Sequence, residues 1–361
     1  MHLALVISSL NAGGAERVLS MLANHWVAQN HQVTFITLAP PHAVPFYTLD
    51  SKIKIIQLDQ SSQDTAIFLR IKNIAKRLFS LRKTITSLKP DRVISFVDIM
   101  NITTLIATRG LKIPVIVSER IDPNFHHISN LYNWIREKIY VHAYKVIVQK
   151  NNAKTYVTHN QLISLKIIPN FVEKPLQIKK TYAQKITRFI TIGRLESQKD
   201  HSTLIHAFAR LVPIYPELSL TIYGEGTHRN TLENLINSLN MKDKIYLPGT
   251  TQNVYQTLLT SDLFIFPSHY EGFPNALCEA MATGLPVIAS NCSGNIDVIR
   301  DGVDGLLFPV GDVNTLTNTI KILLENPEEC QRLATNAQKI CDRFHPTRIC
   351  ALWDNLIQNE S

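Results

Sequence analysis

The chain has 361 residues, 45% hydrophobic and 18% charged, with a formal net charge of +8. That length suits two domains of average size, and the composition excludes a disordered chain or a repeat polymer. The five cysteines, Cys278, Cys292, Cys330, Cys341 and Cys350, form no Cys-x-x-Cys pair, so neither a zinc site nor a disulfide framework is expected, and reduced thiols in cytosol are.

Short β-rich runs alternate with helical patterns, which implies an α/β fold with parallel sheets. In the first half, strands are predicted near 3–8, 32–38, 53–58, 92–96, 114–118, 145–148 and 165–168. The opening apolar stretch lacks a basic leader and reads as a first strand, not a signal peptide. No run of about 18 apolar residues occurs, so no membrane span is expected. After the first strand comes Asn11-Ala12-Gly13-Gly14-Ala15-Glu16-Arg17, where paired glycines let a backbone approach a ligand; an unspecialised turn would look the same. It is not Gly-x-Gly-x-x-Gly, which weakens a dinucleotide reading.

Charge is unevenly divided. Residues 1–172 carry 20 Lys+Arg against 9 Asp+Glu, and residues 173–361 carry 17 against 20. Much of the excess lies in 68–92, where Arg70, Lys72, Lys76, Arg77, Arg82, Lys83, Lys89 and Arg92 interleave with apolar residues at spacings of three and four. This predicts a basic amphipathic helix, read either as a solvated face or as a surface for phosphate or anionic lipid. Aromatic residues are sparse there and no nucleic-acid motif is present, so nucleic acid is not an expected partner. After the strand at 114–118 stands Ser118-Glu119-Arg120. Arg120 reads as a ligand contact braced by Glu119, or the two as a structural ion pair.

Residues 169–175, with two prolines, read as a linker. The expected domains are 1–170 and 171–345, with 346–361 a helix returning to the first. Strands follow near 189–192, 219–223, 245–247, 263–266, 286–289 and 305–308. Ligands of such sheets lie at the carboxyl ends of the strands, here in a cleft between two facing sheets. Gly193-Arg194-Leu195-Glu196-Ser197-Gln198-Lys199-Asp200 ends the first of these strands. Its two cations suit one diphosphate, or are two solvated charges. Gly224 and the turn containing Thr250 and Val254 leave room for a flat base, although turn chemistry explains the same residues.

Residues 271–280 read Glu-Gly-Phe-Pro-Asn-Ala-Leu-Cys-Glu-Ala. Pro274 suits the first turn of a helix, which would leave the amides of Gly272, Phe273 and Asn275 as donors at a positive dipole end. Glu279 would lean back toward that end and accept from a diol, with Glu271 accepting from a second hydroxylated group. The pattern fits a sugar nucleotide. No Asp-x-Asp or His-Glu-x-x-His occurs, so no metal site is expected, and His126 and His127 read as loop or surface residues.

With Gly13-Gly14, Gly193-Arg194, Lys199, Gly224 and the Glu-x7-Glu of Glu271 and Glu279, the chain resembles glycosyltransferase family 4, retaining enzymes of GT-B architecture. Its opening segment is similar to that of bacterial members that extend lipid-linked oligosaccharides or surface polysaccharides. The resemblance implies a UDP-linked hexosamine or hexose as donor, with no cofactor or metal, and a polyprenyl-diphosphate saccharide as acceptor. It implies Arg194, Lys199 and Glu271 as the catalytic set. The donor would meet Gly13, Gly14, Gly224, Thr250, Val254, Gly272, Phe273, Pro274, Asn275 and Glu279; the acceptor would meet Glu119, Arg120 and the cations Arg77, Arg82 and Lys83. Many members carry a histidine where this chain has Arg120. A cytosolic enzyme, peripheral on an anionic membrane, is expected. An epimerase, a non-catalytic partner subunit and a dehydrogenase are the competing readings.

Overall fold

A computed structural model describes residues 1–60, 67–120, 129–149, 164–179 and 185–358, and the backbone alone for 67–71. The side chains of Arg70 and Ile71, and all of His126 and His127, lie outside the described residues. Two compact units result: residues 1–170 with 347–361, and residues 171–346.

In the first unit, strands β1 (His2–Ile7), β2 (Gln32–Thr37), β3 (Lys54–Gln57), β4 (Arg92–Phe96), β5 (Val115–Ser118), β6 (Lys145–Val148) and β7 (Leu165–Ile167) form a parallel sheet in the order β3-β2-β1-β4-β5-β6-β7. The five inner runs are buried on both faces, as strands covered on both sides must be, whereas the edge strands β3 and β7 carry exposed Lys54 and Lys166. Helices α1 (Gly14–Ala28), α2 (Ile67–Leu88), α3 (Asp98–Thr108) and α4 (Asn130–Ile139) connect them. Ala4 and Val6 face a core built with Leu81, Ile85, Met100 and Leu105. Strand alternation turns Leu3, Leu5 and Ile7, also fully buried, to the opposite face. Helix α2 is shorter than the basic run suggested: Lys89 takes a left-handed φ of 47° before Pro90, which ends the helix, and Arg92 opens β4.

In the second unit, β8 (Arg188–Ile192), β9 (Ser219–Tyr223), β10 (Ile245–Gly249), β11 (Leu263–Phe266), β12 (Val287–Ser290) and β13 (Leu306–Phe308) form a parallel sheet in the order β10-β9-β8-β11-β12-β13. Both sheets reverse direction beside their first strand, at β1/β4 and at β8/β11. The loops that leave the carboxyl ends of those strands diverge, and ligands of open α/β sheets occupy that crevice. Helices α5 (His201–Leu211), α6 (Arg229–Ser238), α7 (Val254–Leu259), α8 (Asn275–Thr283), α9 (Val313–Glu325), α10 (Pro327–Ala337) and α11 (Ile340–Arg343) cover this sheet. Helix α12 (Pro346–Gln358) brings residues 347–358 back into the first unit. There Asp354 accepts from His25 Nε2 (3.0 Å) and Trp26 Nε1 (3.0 Å) of α1 and from Gln29 Nε2 (3.1 Å) of its C-cap. Among the described residues no helix is long and apolar enough to cross a membrane.

Candidate active site

The reversal at β8/β11 decides which side chains meet. Phe189 and Ile190 of β8 pair with Leu263 and Phe264 of β11, so the loops after these two strands lie side by side. Lys199 on one and Glu271 on the other, 72 residues apart, form an ion pair with Nζ to Oε1 at 2.5 Å. The Glu271 side chain is buried and that of Lys199 is 13% exposed, and the ammonium lies 4.7 Å from the centroid of Phe266, the last residue of β11. Cation–π attraction and the carboxylate hold the charge after most of its water has been removed. Two more bonds stitch the loops: His269 N–H donates to the Gln198 carbonyl (2.8 Å), and Gln198 Nε2 donates to the Tyr270 carbonyl (2.9 Å).

Three glycines allow this packing. A Cβ at Gly193 would stand 3.3 Å from the Lys199 stem, and one at Gly224 would stand 1.9 Å from the Gly193 carbonyl oxygen. A Cβ at Gly294 would fall 2.5 Å from that of Glu271. Reading from sequence missed Gly294, although Cys292-Ser293-Gly294-Asn295 ends a strand as Gly224 does. It missed Gln198 as well. Behind them, Ser290 Oγ donates to the Ser268 carbonyl (2.5 Å) and Asn295 Nδ2 to the Ser290 carbonyl (3.0 Å), tying the loop after β11 to the one after β12.

The other predicted residues of this unit fall along the same sheet edge. Arg194 is exposed, and its Nη2 donates to Gln198 Oε1 (3.2 Å); it is Glu271, rather than Arg194, that the structure brings to Lys199. Pro274 is the N-cap of α8 instead of its first helical residue, a shift of one position. The Asn275 N–H is bonded to the Phe273 carbonyl (3.0 Å), so it is not the open donor that a proline-led helix start implied. Glu279 is buried one turn into α8, and the Phe273 ring packs edge-on against Phe344. Gly224 donates its N–H to the Gly249 carbonyl (2.9 Å), Thr250 is exposed beyond it, and Val254 opens α7. Buried His201 heads α5 with Nε2 3.3 Å from the Arg194 carbonyl, and burial pushes its imidazole down to about 4, so it is neutral at physiological pH.

In the first unit, Gly13 is the N-cap of α1, and the space a Cβ would occupy there is filled by the Glu16 carboxylate, with Oε2 at 2.1 Å. Burial raises the Glu16 carboxyl above its ordinary value. Val97, between β4 and α3, has φ of 74°, a conformation that strains a β-branched residue and is concentrated at functional sites.

Glu119 and Arg120 do not brace each other. Glu119 accepts from the Tyr140 hydroxyl, and burial pushes its carboxyl up to about 7, against the lowering effect of that bond. Arg120 instead donates from Nη1 to Asn170 Oδ1 (2.7 Å), with its guanidinium 4.0 Å from the Phe96 ring centroid. The predicted acceptor cations of α2 also divide. Arg77 Nη2 donates to the Gln60 carbonyl (3.0 Å), and Arg82 Nη1 to the carbonyls of Ala107 (2.8 Å) and Arg109 (2.9 Å) at the end of α3. Both bonds tie α2 to the rest of the unit, and Arg82 does so as cations at helix carboxyl ends do. Lys83 stays on the exposed face.

Residues 12–174 match the family described as glycosyltransferase family 4, and residues 174–340 match glycosyl transferases group 1. The chain belongs to glycosyltransferase family 4 and is a glycosyltransferase. One relative, 29% identical over 99% of this chain and 98% of its own length, is the Campylobacter jejuni GalNAc-α-(1→4)-GalNAc-α-(1→3)-diNAcBac-PP-undecaprenol α-1,4-N-acetyl-D-galactosaminyltransferase. A second, 33% identical over 67% of this chain and 65% of its own length, is an uncharacterised glycosyltransferase of Methanocaldococcus jannaschii. Among solved structures, sucrose-phosphate synthase of Thermosynechococcus elongatus superposes with a TM-score of 0.85 at 18% identity over 98% of each chain. Anabaena HepE in complex with UDP and glucose does so with 0.79 at 19% identity over 99% of each. The fold is that of the GT-B glycosyltransferases. Membership of family 4 supports neither the epimerase nor the partner-subunit reading.

Proposed function

We propose that this family 4 enzyme transfers an N-acetylhexosamine or hexose from a UDP-sugar to a polyprenyl-diphosphate-linked saccharide, with retention at the anomeric carbon. The Lys199–Glu271 pair at the β8/β11 reversal carries the reading. A largely buried ammonium at a sheet's ligand-binding edge stabilises the negative charge that grows on a leaving diphosphate, at the step where such charge most affects the rate. Glu271 positions the ammonium and offers its carboxylate to sugar hydroxyls. UDP-sugar already contains a good leaving group, so paired acid and base carboxylates of the glycosidase type are not required. The leaving phosphate oxygen takes the acceptor proton as the new bond forms on the same face. Arg194 and the amides of Gly272 and Phe273 assist, Glu279 holds the ribose diol, and Gly224, Thr250 and Val254 surround the base. These cations and amides supply the stabilisation, so no metal is needed in this scheme.

The relatives support the choice of substrates: the Campylobacter jejuni enzyme is named for an undecaprenol-diphosphate acceptor, and the HepE structure contains UDP. The test is direct. UDP, and not GDP, should raise the melting temperature of the purified chain, because a ligand that binds only the folded state stabilises it. Product NMR should show an α-linkage from an α-linked donor, in the presence of chelator. A β-linked product, or stabilisation by GDP alone, refutes the assignment.

A lipid-linked acceptor requires the enzyme to work at a bilayer. The outward stripe of α2 carries exposed Lys72, Lys76, Phe79 and Lys83, and that of α4 carries exposed Leu131, Trp134 and Lys138. Aromatic rings among lysines suit the headgroup layer of an anionic membrane. At about 1 kcal/mol per lysine, the triple variant Lys72→Glu, Lys76→Glu, Lys83→Glu should lose about 100-fold in binding to phosphatidylglycerol vesicles. Co-sedimentation equal to that of the wild type would return the stripe to an ordinary solvated face.

A further inference from the structure

We propose that Arg120 is a preformed receptor for a diphosphate, seated by Phe96, Trp353 and Asn170 so that its Nε–H and Nη2–H face two phosphoryl oxygens. The inference rests on the glycosyl-transfer reading for the identity of its ligand. Its geometry lies wholly within the first unit.

Arg120 follows β5 and is nine-tenths buried. One nitrogen, Nη1, is committed to Asn170 Oδ1, which also accepts from Gln149 Nε2 (2.7 Å). The guanidinium lies 4.0 Å from the Phe96 ring centroid and 5.6 Å from that of Trp353. Those rings contact each other at 5.7 Å, and Trp353 meets Trp26 edge-on at 6.4 Å. Trp353 is fully buried and cannot turn away, because the next residue, Asp354, is held by three donors of α1 and its C-cap. The last helix of the chain is therefore part of the seat.

Among the described residues, Nε and Nη2 of Arg120 have no hydrogen-bond partner, and no carboxylate forms an ion pair with it. Glu119, its neighbour, is turned to Tyr140. The two open donors are not an arbitrary pair: Nε–H and Nη2–H point the same way, along one edge of the planar fork, at the spacing of two oxygens of a carboxylate or phosphoryl group. Leaving two donors of a buried cation unmet costs free energy, and that cost is recovered when an anion fills the edge. Burial lowers the guanidinium to about 9, which still leaves it charged at neutral pH. A neutral sugar hydroxyl would meet the donors without meeting the charge. A diphosphate meets both.

The diphosphate can be that of the nucleotide donor or that of a lipid-linked acceptor, and calorimetric titration with UDP, farnesyl diphosphate and inorganic pyrophosphate separates them. Arg120→Lys and Arg120→Gln, which lack the fork, should weaken one of the first two about 10- to 100-fold, at an unchanged melting temperature. A loss confined to farnesyl diphosphate assigns the acceptor, and a loss confined to UDP the donor. Trp353→Leu should reproduce the loss, and Trp353→Phe should restore most of it. If wild-type protein binds pyrophosphate through Arg120 but neither UDP nor farnesyl diphosphate, the seat stands and the transfer reading falls. Undiminished binding of all three probes in both Arg120 variants overturns the seat. Wild-type affinity in Trp353→Leu removes Trp353 from it.

Discussion

Replacing Lys199 by alanine should lower the rate of sugar transfer at saturating donor by about 10²- to 10³-fold, the usual effect of removing one preorganised donor from a site where charge develops. Losing the ammonium also removes the cation from the buried Glu271 carboxylate, which costs stability, so the rate is read on protein shown to be folded. Lys199 sits on a loop beyond the carboxyl end of β8, backed by Gly193, over the Phe266 ring and against the Glu271 carboxylate. Truncation removes the ammonium but leaves the sheet, the stitching through Gln198 and the α5 cap, where Asp200 Oδ1 accepts from Thr203 N–H, in place. Lys199→Arg should not rescue the loss. The guanidinium is planar and broader than an ammonium, and the space between the Phe266 ring and Glu271 Oε1 is fitted to a compact donor. Glu271→Gln should lower the rate as well, because the neutral amide no longer fixes the ammonium. Initial rates at saturating UDP-sugar, with melting curves as the control, decide the matter. Full transfer by a folded Lys199→Ala protein would take this lysine out of the reaction.

The strands that frame this site were legible from residues alone because buried parallel strands are written as continuous Val, Ile, Leu and Phe runs, such as Leu263–Phe266. All thirteen predicted runs are strands, with every end within two residues of its predicted position. Contacts between distant residues were not legible. Proximity in sequence pairs Lys199 with Arg194, whereas the β8/β11 reversal delivers Glu271 to it; strand order is a property of the sheet and not of either loop. Arg77 and Arg82 belong to the basic stripe by periodicity, yet carbonyls at the end of α3 and at Gln60 capture them. A helical pattern records which side a residue faces but not what waits there. Trp353 lies 233 positions from Arg120; the return of the final helix is expected from the sequence, but nothing in the sequence says that Trp353 meets Phe96 there.

Asp262→Ala should destabilise the second unit by about 3–5 kcal/mol without touching the site. Asp262 opens the turn into β11 at the amino edge of the sheet, opposite the Lys199 loop, and its side chain is 3% exposed. It accepts from Lys179 Nζ (3.1 Å), Arg188 Nη2 (3.0 Å) and the backbone N–H groups of Thr187 (3.2 Å) and Arg188 (3.0 Å). These bonds fasten the segment before β8 and the first residue of β8 to the start of β11. Alanine would leave the buried Lys179 ammonium without its carboxylate, which is the costly outcome; Arg188, half exposed, would rehydrate and contribute little. Burial by itself would raise the Asp262 carboxyl, but the hydrogen bonds from Arg188 and Lys179 outweigh it and hold it at about 2, below its ordinary 3.8. A carboxylate depressed on folding stabilises the protein above its unfolded value, and that contribution is lost as pH falls through the folded one. Acid unfolding of the wild type should therefore steepen between about pH 4 and pH 2, and Asp262→Asn should flatten that limb while keeping the backbone bonds to its amide oxygen. Denaturant melts at pH 7 and pH 3 measure both effects. Equal stability of wild type and Asp262→Ala at pH 7 would show that the clamp at the amino edge does not hold the sheet together.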